Sequence, residues 1–245
     1  MNEIAKNSLI APVEVTATPI PTEREAWLHE MLGTDYEHAE ELGLVDQFVY
    51  NPETGSDALR HILSGEVIRK QDGTITVAGF HHEPSAGPDT YVDRSHLEGR
   101  VNNPSKSRTS GGRPFEPYNA IPVIGGRPKQ KLNIDKESGE VSLAPAISSM
   151  FPKEYDALAV IKTVVGARDT RDKTKDVITQ SGNIRTEGHW LMIDGSTLMK
   201  VKLVLQPGTE KIITAMPLTR SYMSLNPLAL AVQLGLSEEQ PKKLQ

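Results

Sequence analysis

Apolar positions along the first part of the chain recur one helical turn apart. Trp27 pairs with Met31 and Leu28 with Leu32, which gives an amphipathic face. Ahead of them Thr22-Glu-Arg-Glu25 is a capping box, in which hydroxyl and carboxylate each satisfy an orphan backbone donor. Thr34-Asp-Tyr-Glu37 repeats the box for a second helix, which Gly43 can close in the left-handed conformation. Before both, residues 8–21 carry Pro12, Pro19 and Pro21 among β-branched residues and read as an extended lead-in. A third helix is expected from about Asp57 to Ser64, capped by Ser56 and ended by Gly65. Thr74 to Phe80 then alternates like a strand.

From Pro84 to Pro117 the pattern lapses into a polar stretch with five prolines and Gly111-Gly112. Strands return at Tyr118–Ile124 and Lys131–Leu143, the latter turning at Glu137-Ser-Gly-Glu140. Ser149-Met-Phe-Pro152 reads as a helix start, followed by Tyr155, Leu158, Val160, Ile161, Val164 and Val165 for the core. Val201–Leu205 and Lys211–Met216 form a hairpin around Gln206-Pro-Gly-Thr209, and Asn226-Pro227 opens a last helix ending at Gly235. Strands that pair locally and helices that are segregated imply an α+β class rather than a doubly wound sheet.

Composition narrows the chemistry. The 245 residues are 37% hydrophobic and 24% charged, near the soluble globular average, with no apolar run long enough to cross a membrane. The N-terminus lacks the basic start and apolar core of a secretory signal, so a cytoplasmic protein is expected. Without cysteine there are no disulfides or thiolate metal sites, so any metal would rest on histidine and carboxylate ligands. The net charge of −5 is unevenly spread: residues 1–60 hold three basic side chains against twelve acids. Residues 100–136 hold eight (Arg100, Lys106, Arg108, Arg113, Arg127, Lys129, Lys131 and Lys136) against Glu116 and Asp135, a patch suited to phosphates.

Within this frame His61-Ile-Leu-Ser-Gly65 ends a predicted helix, and Ala78-Gly-Phe-His-His82 ends a predicted strand twenty residues later. Each histidine stands near a glycine that lets a substrate backbone approach. Histidine titrates near neutrality, so one can be neutral while its partner is protonated. Successive strand side chains face opposite sides, so only one of His81 and His82 can face a site. His29, His38 and His96 show no metal-ligand spacing.

The order of these motifs resembles the EndoU endoribonucleases, in which His-x-x-x-Gly is followed by Gly-Phe-His. Ser148-Ser-Met-Phe-Pro152 looks like the family's Ser-Thr-x-Phe-Pro segment, and Lys211-Ile-Ile-Thr-Ala-Met-Pro217 like its closing strand. The resemblance covers about residues 57–220. It implies two small antiparallel sheets with flanking helices, and metal-independent cleavage of single-stranded or tRNA-type RNA through the 2′-hydroxyl, leaving 2′,3′-cyclic phosphates. It implies no cofactor and no metal. It names His61 and His81 as the acid–base pair, with Thr214 beside them, and Ser149 and Met216 as substrate contacts. Which histidine is acid and which is base stays open.

Two positions depart from the family. Its usual lysine before Ser-Thr-x-Phe-Pro is absent from Leu143-Ala-Pro-Ala-Ile147, and Lys131 or an arginine of the basic patch is the expected substitute. Met216 replaces the usual base-stacking tyrosine, which weakens an expected preference for uridine.

The organisation expected is an acidic segment with two short helices over 1–50, a nuclease domain over 51–220, and a helix with a polar tail over 221–245. Bacterial relatives are often toxins delivered into a competitor's cytoplasm, which implies an immunity protein as a partner besides RNA. Two alternatives stay open: an RNA-binding protein of the same fold without catalysis, and a metal-dependent histidine nuclease.

Overall fold

The structure, a computed structural model, describes residues 22–69, 73–94, 117–134, 139–193, 197–219 and 223–224. The lead-in, most of the 84–117 stretch and the last helix with its tail lie outside the described residues, as do Arg100, Lys106, Arg108, Arg113 and Lys136 of the basic patch.

Helix α1 (Glu23–Leu32) opens on the expected capping box: the Glu25 amide donates to Thr22 Oγ1 and the Thr22 amide to Glu25 Oε2. The second box does not form. A 3₁₀ turn over Gly33–Asp35 carries the chain directly into α2 (Tyr36–Glu41), so Asp35 already has helical backbone and its side chain caps nothing. Gly43 does close α2, at φ +62°.

A two-stranded ribbon of β1 (Tyr50–Asn51) and β2 (Ser56–Asp57) leads to α3 (Ala58–Leu63). The cap of α3 is Asp57 rather than Ser56, its carboxylate accepting from the Leu59 and Arg60 amides. Next come the ribbon of β3 (Glu66–Arg69) with β4 (Ile75–Ala78), then β5 (Thr90–Asp93), β6 (Tyr118–Ile124) and β7 (Arg127–Pro128). A third ribbon pairs β8 (Gln130–Ile134) with β9 (Val141–Pro145), so Leu132, Leu143, Ile134 and Val141 share one exposed face.

β10 (Ser148–Met150) corrects an expectation: the Ser-Ser-Met segment is a strand, with Ser149 opposite Asn119 of β6. The helix, α4 (Ala157–Asp169), begins only behind Asp156, which accepts from the Ala159 amide at 2.7 Å. β11 (Val177–Ile178), β12 (Ile184–Leu191), β13 (Thr197–Leu205), β14 (Ile212–Pro217) and β15 (Met223–Ser224) complete the chain.

The class is therefore mixed α+β with small antiparallel sheets. Among the described residues there is a four-stranded sheet (β5, β6, β7, β10), a five-stranded sheet (β11–β15) and three two-stranded ribbons, where two sheets were expected. No helix is long and apolar enough to cross a membrane among the described residues.

Strict alternation along β13 sends Met199, Val201, Leu203 and Leu205 inward, leaving Lys200, Lys202 and Val204 on the opposite face. The inward set packs against α4 and α3 and shares its core with Leu28, Leu32 and Tyr36 of α1 and α2. Each of those fully buried aliphatic side chains contributes on the order of 2 kcal/mol by leaving water. The acidic helices before residue 50 are thus part of the same core as the chain after it. A smaller cluster, Val77, Phe80, Tyr118, Ala120, Ile124 and Met150, lies against the four-stranded sheet.

Candidate active site

A helix leaves its last four carbonyls without intrahelical partners. In α3 two of these are taken up by the chain leaving β4: His61 O accepts from the Phe80 amide and Ile62 O from the His81 amide, both at 2.8 Å. On the other side His81 O accepts from the Phe151 amide at 2.7 Å. Three sequence-distant segments are thereby stitched together at backbone level, and this is what brings His61 and His81 to one place.

The stitch demands unusual backbone. Gly79 sits at φ +69°, and a Cβ there would lie 1.9 Å from His61 O. Phe80, fully buried, takes φ +58°. A bulky residue in that region carries roughly 1–3 kcal/mol of strain, and such strain concentrates where geometry is functional.

The side chains follow from this frame. His81 is 2% exposed, and its Nδ1 donates to the backbone carbonyl of Ser149 at 2.7 Å. A carbonyl can only accept, so the proton of neutral His81 is on Nδ1 and the lone pair is on Nε2. Burial, reinforced by the charges of Lys129 and His61, pushes the His81 imidazole down to about 3. His81 is therefore a neutral acceptor at neutral pH. His61 is partly exposed, and its Nδ1 meets Glu66 Oε1 at 2.6 Å, so the carboxylate holds the ring and leaves Nε2 outward. Among the described residues neither Nε2 has a hydrogen-bond partner.

Lys129 completes the cluster. Its amide donates to Pro122 O and its carbonyl accepts from Ala146, which fixes it between β7 and β8. Its Nζ donates to Ser148 Oγ at 2.9 Å, and burial pushes its ammonium down. Asn119 Oδ1 receives long contacts, both 3.5 Å, from Ser149 Oγ and Thr219 Oγ1. An amide and two hydroxyls thus gather at Ser149, whose carbonyl holds His81.

His82, the neighbour in sequence, is consumed by structure. Its Nε2 donates to Tyr155 O at 2.8 Å and its Nδ1 accepts from Ser85 Oγ at 2.6 Å. Glu83 beyond it receives the Tyr118 hydroxyl and the Arg94 guanidinium, both at 2.5 Å, and Lys153 at 3.3 Å. Burial alone would raise the Glu83 carboxyl, but these donors outweigh it and hold it below the usual range.

The residues expected from sequence divide accordingly. His61, His81 and Ser149 meet, Ser149 through its carbonyl rather than its hydroxyl. Thr214 and Met216 lie on β14, which runs beside α3 and β10, and both face away from the core-directed Ala215. Thr214 Oγ1 is buried and has no hydrogen-bond partner among the described residues.

Lys131 is not at the site: it stands exposed on the β8–β9 ribbon. Lys129, two positions earlier, is the lysine that lies beside Ser148 and His81. Sequence reading also passed over Glu66 and Asn119. A carboxylate five residues after His61 was the one signal for Glu66, whereas Asn119 is placed only by the register of β6 against β10.

Compared with protein-family models, curated proteins and solved structures, the chain matches none.

Proposed function

We propose that the protein is an endoribonuclease that cuts RNA by internal transesterification, with His81 as base, His61 as acid and Lys129 as the charge that meets the phosphorane. One observation carries this reading. Two histidines on adjoining elements each have Nδ1 tied and Nε2 without a partner among the described residues, with a buried lysine acting on one of them.

In the reaction His81 Nε2 removes the proton of the 2′-hydroxyl, and the 2′-oxygen attacks the adjacent phosphorus. The phosphorus–O5′ bond breaks as His61 Nε2–H delivers a proton to the leaving oxygen. The products are a 2′,3′-cyclic phosphate and a free 5′-hydroxyl, so protons and electrons balance without a further reactant. Each proton transfer contributes about 10²–10⁴-fold. A bound phosphodiester anion beside His81 counteracts the Lys129 charge and raises the basicity of the ring during turnover. The role division follows from the tautomer and depression of His81; His61 takes the other transfer because Glu66 steadies it in either protonation state.

Single-stranded or tRNA-type RNA is the substrate class. Met216 offers an apolar edge rather than a ring, so base preference is weak. The EndoU resemblance supports this assignment and raises a toxin role with an immunity partner. Among the described residues no three histidine or acidic side chains converge as metal ligands, and Lys129 beside His81 disfavours a divalent cation there.

The test is cleavage of total tRNA in EDTA by the parent, His61→Ala and His81→Ala. Cutting by the parent alone supports the reading. Cutting that requires added metal, or binding without any cutting, overturns it in favour of a metal-dependent nuclease or a non-catalytic RNA-binding protein.

A further inference from the structure

The face of the five-stranded sheet turned away from α4 carries a second feature. Register places Lys202 directly between Glu187 of β12 and Met216 of β14, and Val204 between Arg185 and Thr214. Directly opposed residues share a face, so Arg185 and Lys202 stand on the same surface as the two β14 residues nearest the site. Strands are spaced about 5 Å apart, so Arg185 lies about 10 Å across the sheet from Thr214.

On this side a cavity of about 620 Å³ opens, bordered by both these cations and by Lys175, Lys200, His189 and Thr186. Two of its cations are matched: Lys175 with Asp172 at 3.0 Å, and Lys200 with Glu187. Arg185 and Lys202 have no acidic partner among the described residues. Burial, with the Lys200 charge, pushes His189 down, so it adds a neutral ring rather than another charge.

We propose that this cavity is a second RNA subsite, in which Arg185 and Lys202 hold phosphodiesters of the strand remote from the cut bond. It rests on the nuclease reading for the direction of the strand, which would pass Met216 and continue across β13 to β12. Two cations without an acidic partner among the described residues suit phosphate oxygens, and the strand spacing suits a run of backbone rather than a lone base. The subsite therefore distinguishes long RNA from short.

The test uses the full chain and a 2′-O-methyl oligoribonucleotide, which binds but lacks the attacking hydroxyl. Binding is read by fluorescence anisotropy across a salt series for the parent, the double variant Arg185→Gln/Lys202→Gln and the control Lys162→Gln. The double variant should bind about tenfold more weakly at low salt, and its salt slope should fall by about 1.4, near 0.7 per single-strand phosphate contact. Its kcat/KM on a dinucleotide should equal the parent's while that on a long strand drops. An unchanged slope overturns the proposal, as does an equal loss on dinucleotide and long strand. If the parent cuts no RNA but binding still depends on both residues, the subsite stands and the nuclease reading falls.

Discussion

Gly79→Ala tests the stitch that brings the histidines together. The new Cβ would sit 1.9 Å from His61 O, more than an ångström inside any normal contact, and the obstacle is backbone. The residue is also held at φ +69°, where a Cβ costs about 1–2 kcal/mol. Moving the His61 carbonyl aside forfeits its hydrogen bond to Phe80, a further net 0.5–1.5 kcal/mol or so. The sum is about 2.5 kcal/mol, which for a chain of this size lowers Tm by about 5–10 °C.

Gly208→Ala is the control: φ is +80° there, but nothing lies within 4 Å of the added Cβ. It should lose only the conformational part, about 1 kcal/mol or 2–4 °C. Thermal unfolding of the two variants, with RNA cleavage at a temperature where both are folded, separates strain from contact. Gly79→Ala should lose activity as well as stability. If it melts with Gly208→Ala and cuts like the parent, the stitched geometry does not set the site.

Stability should fall steeply on acidification. His81 is held near 3 in the fold, far below an ordinary histidine, so it contributes stability above about pH 6.5 that is lost progressively as pH drops toward 3, at up to about 1.4 kcal/mol per unit. His82 and Glu83 are also depressed and act in the same direction; a His81→Gln variant should show a shallower decline in a Tm-against-pH series. Lys129→Met keeps the bulk and removes the charge, so it should lower kcat about 10²–10³-fold and move the acidic limb of the pH–rate profile upward, since Lys129 helps depress His81; an unmoved limb would separate the two groups. Asp57→Ala removes the cap of α3 and strands the Arg24 guanidinium it pairs with at 2.9 Å, so denaturant titration should show a loss of about 3 kcal/mol or more.

What could be read in the sequence was what short-range physics determines. The Thr22 box, the Gly43 closure, the α3 span and the β13–β14 hairpin each follow from side chains within a few positions, and all are present. The two histidines were legible because glycines flank them. Ser148–Met150 was misread as a helix start because Pro152 and the apolar run behind it suit a helix, whereas its backbone is claimed by β6. Lys129 was one of eight similar cations until the strands on either side buried it against Ser148 and His81. The second capping box failed because α1 and α2 join through a 3₁₀ turn, a tertiary economy that no local pattern reveals.

The central claim is that His81 and His61 move protons for an RNA that supplies its own nucleophile. It is tested most directly with a DNA strand containing a single ribonucleotide, incubated with the protein in EDTA, the ends analysed by mass. The account predicts one cut, on the 3′ side of the ribonucleotide, leaving a 2′,3′-cyclic phosphate and a 5′-hydroxyl, and lost in both His61→Ala and His81→Ala. Cutting at deoxynucleotides, a linear phosphate formed directly, or full activity in either variant would contradict it.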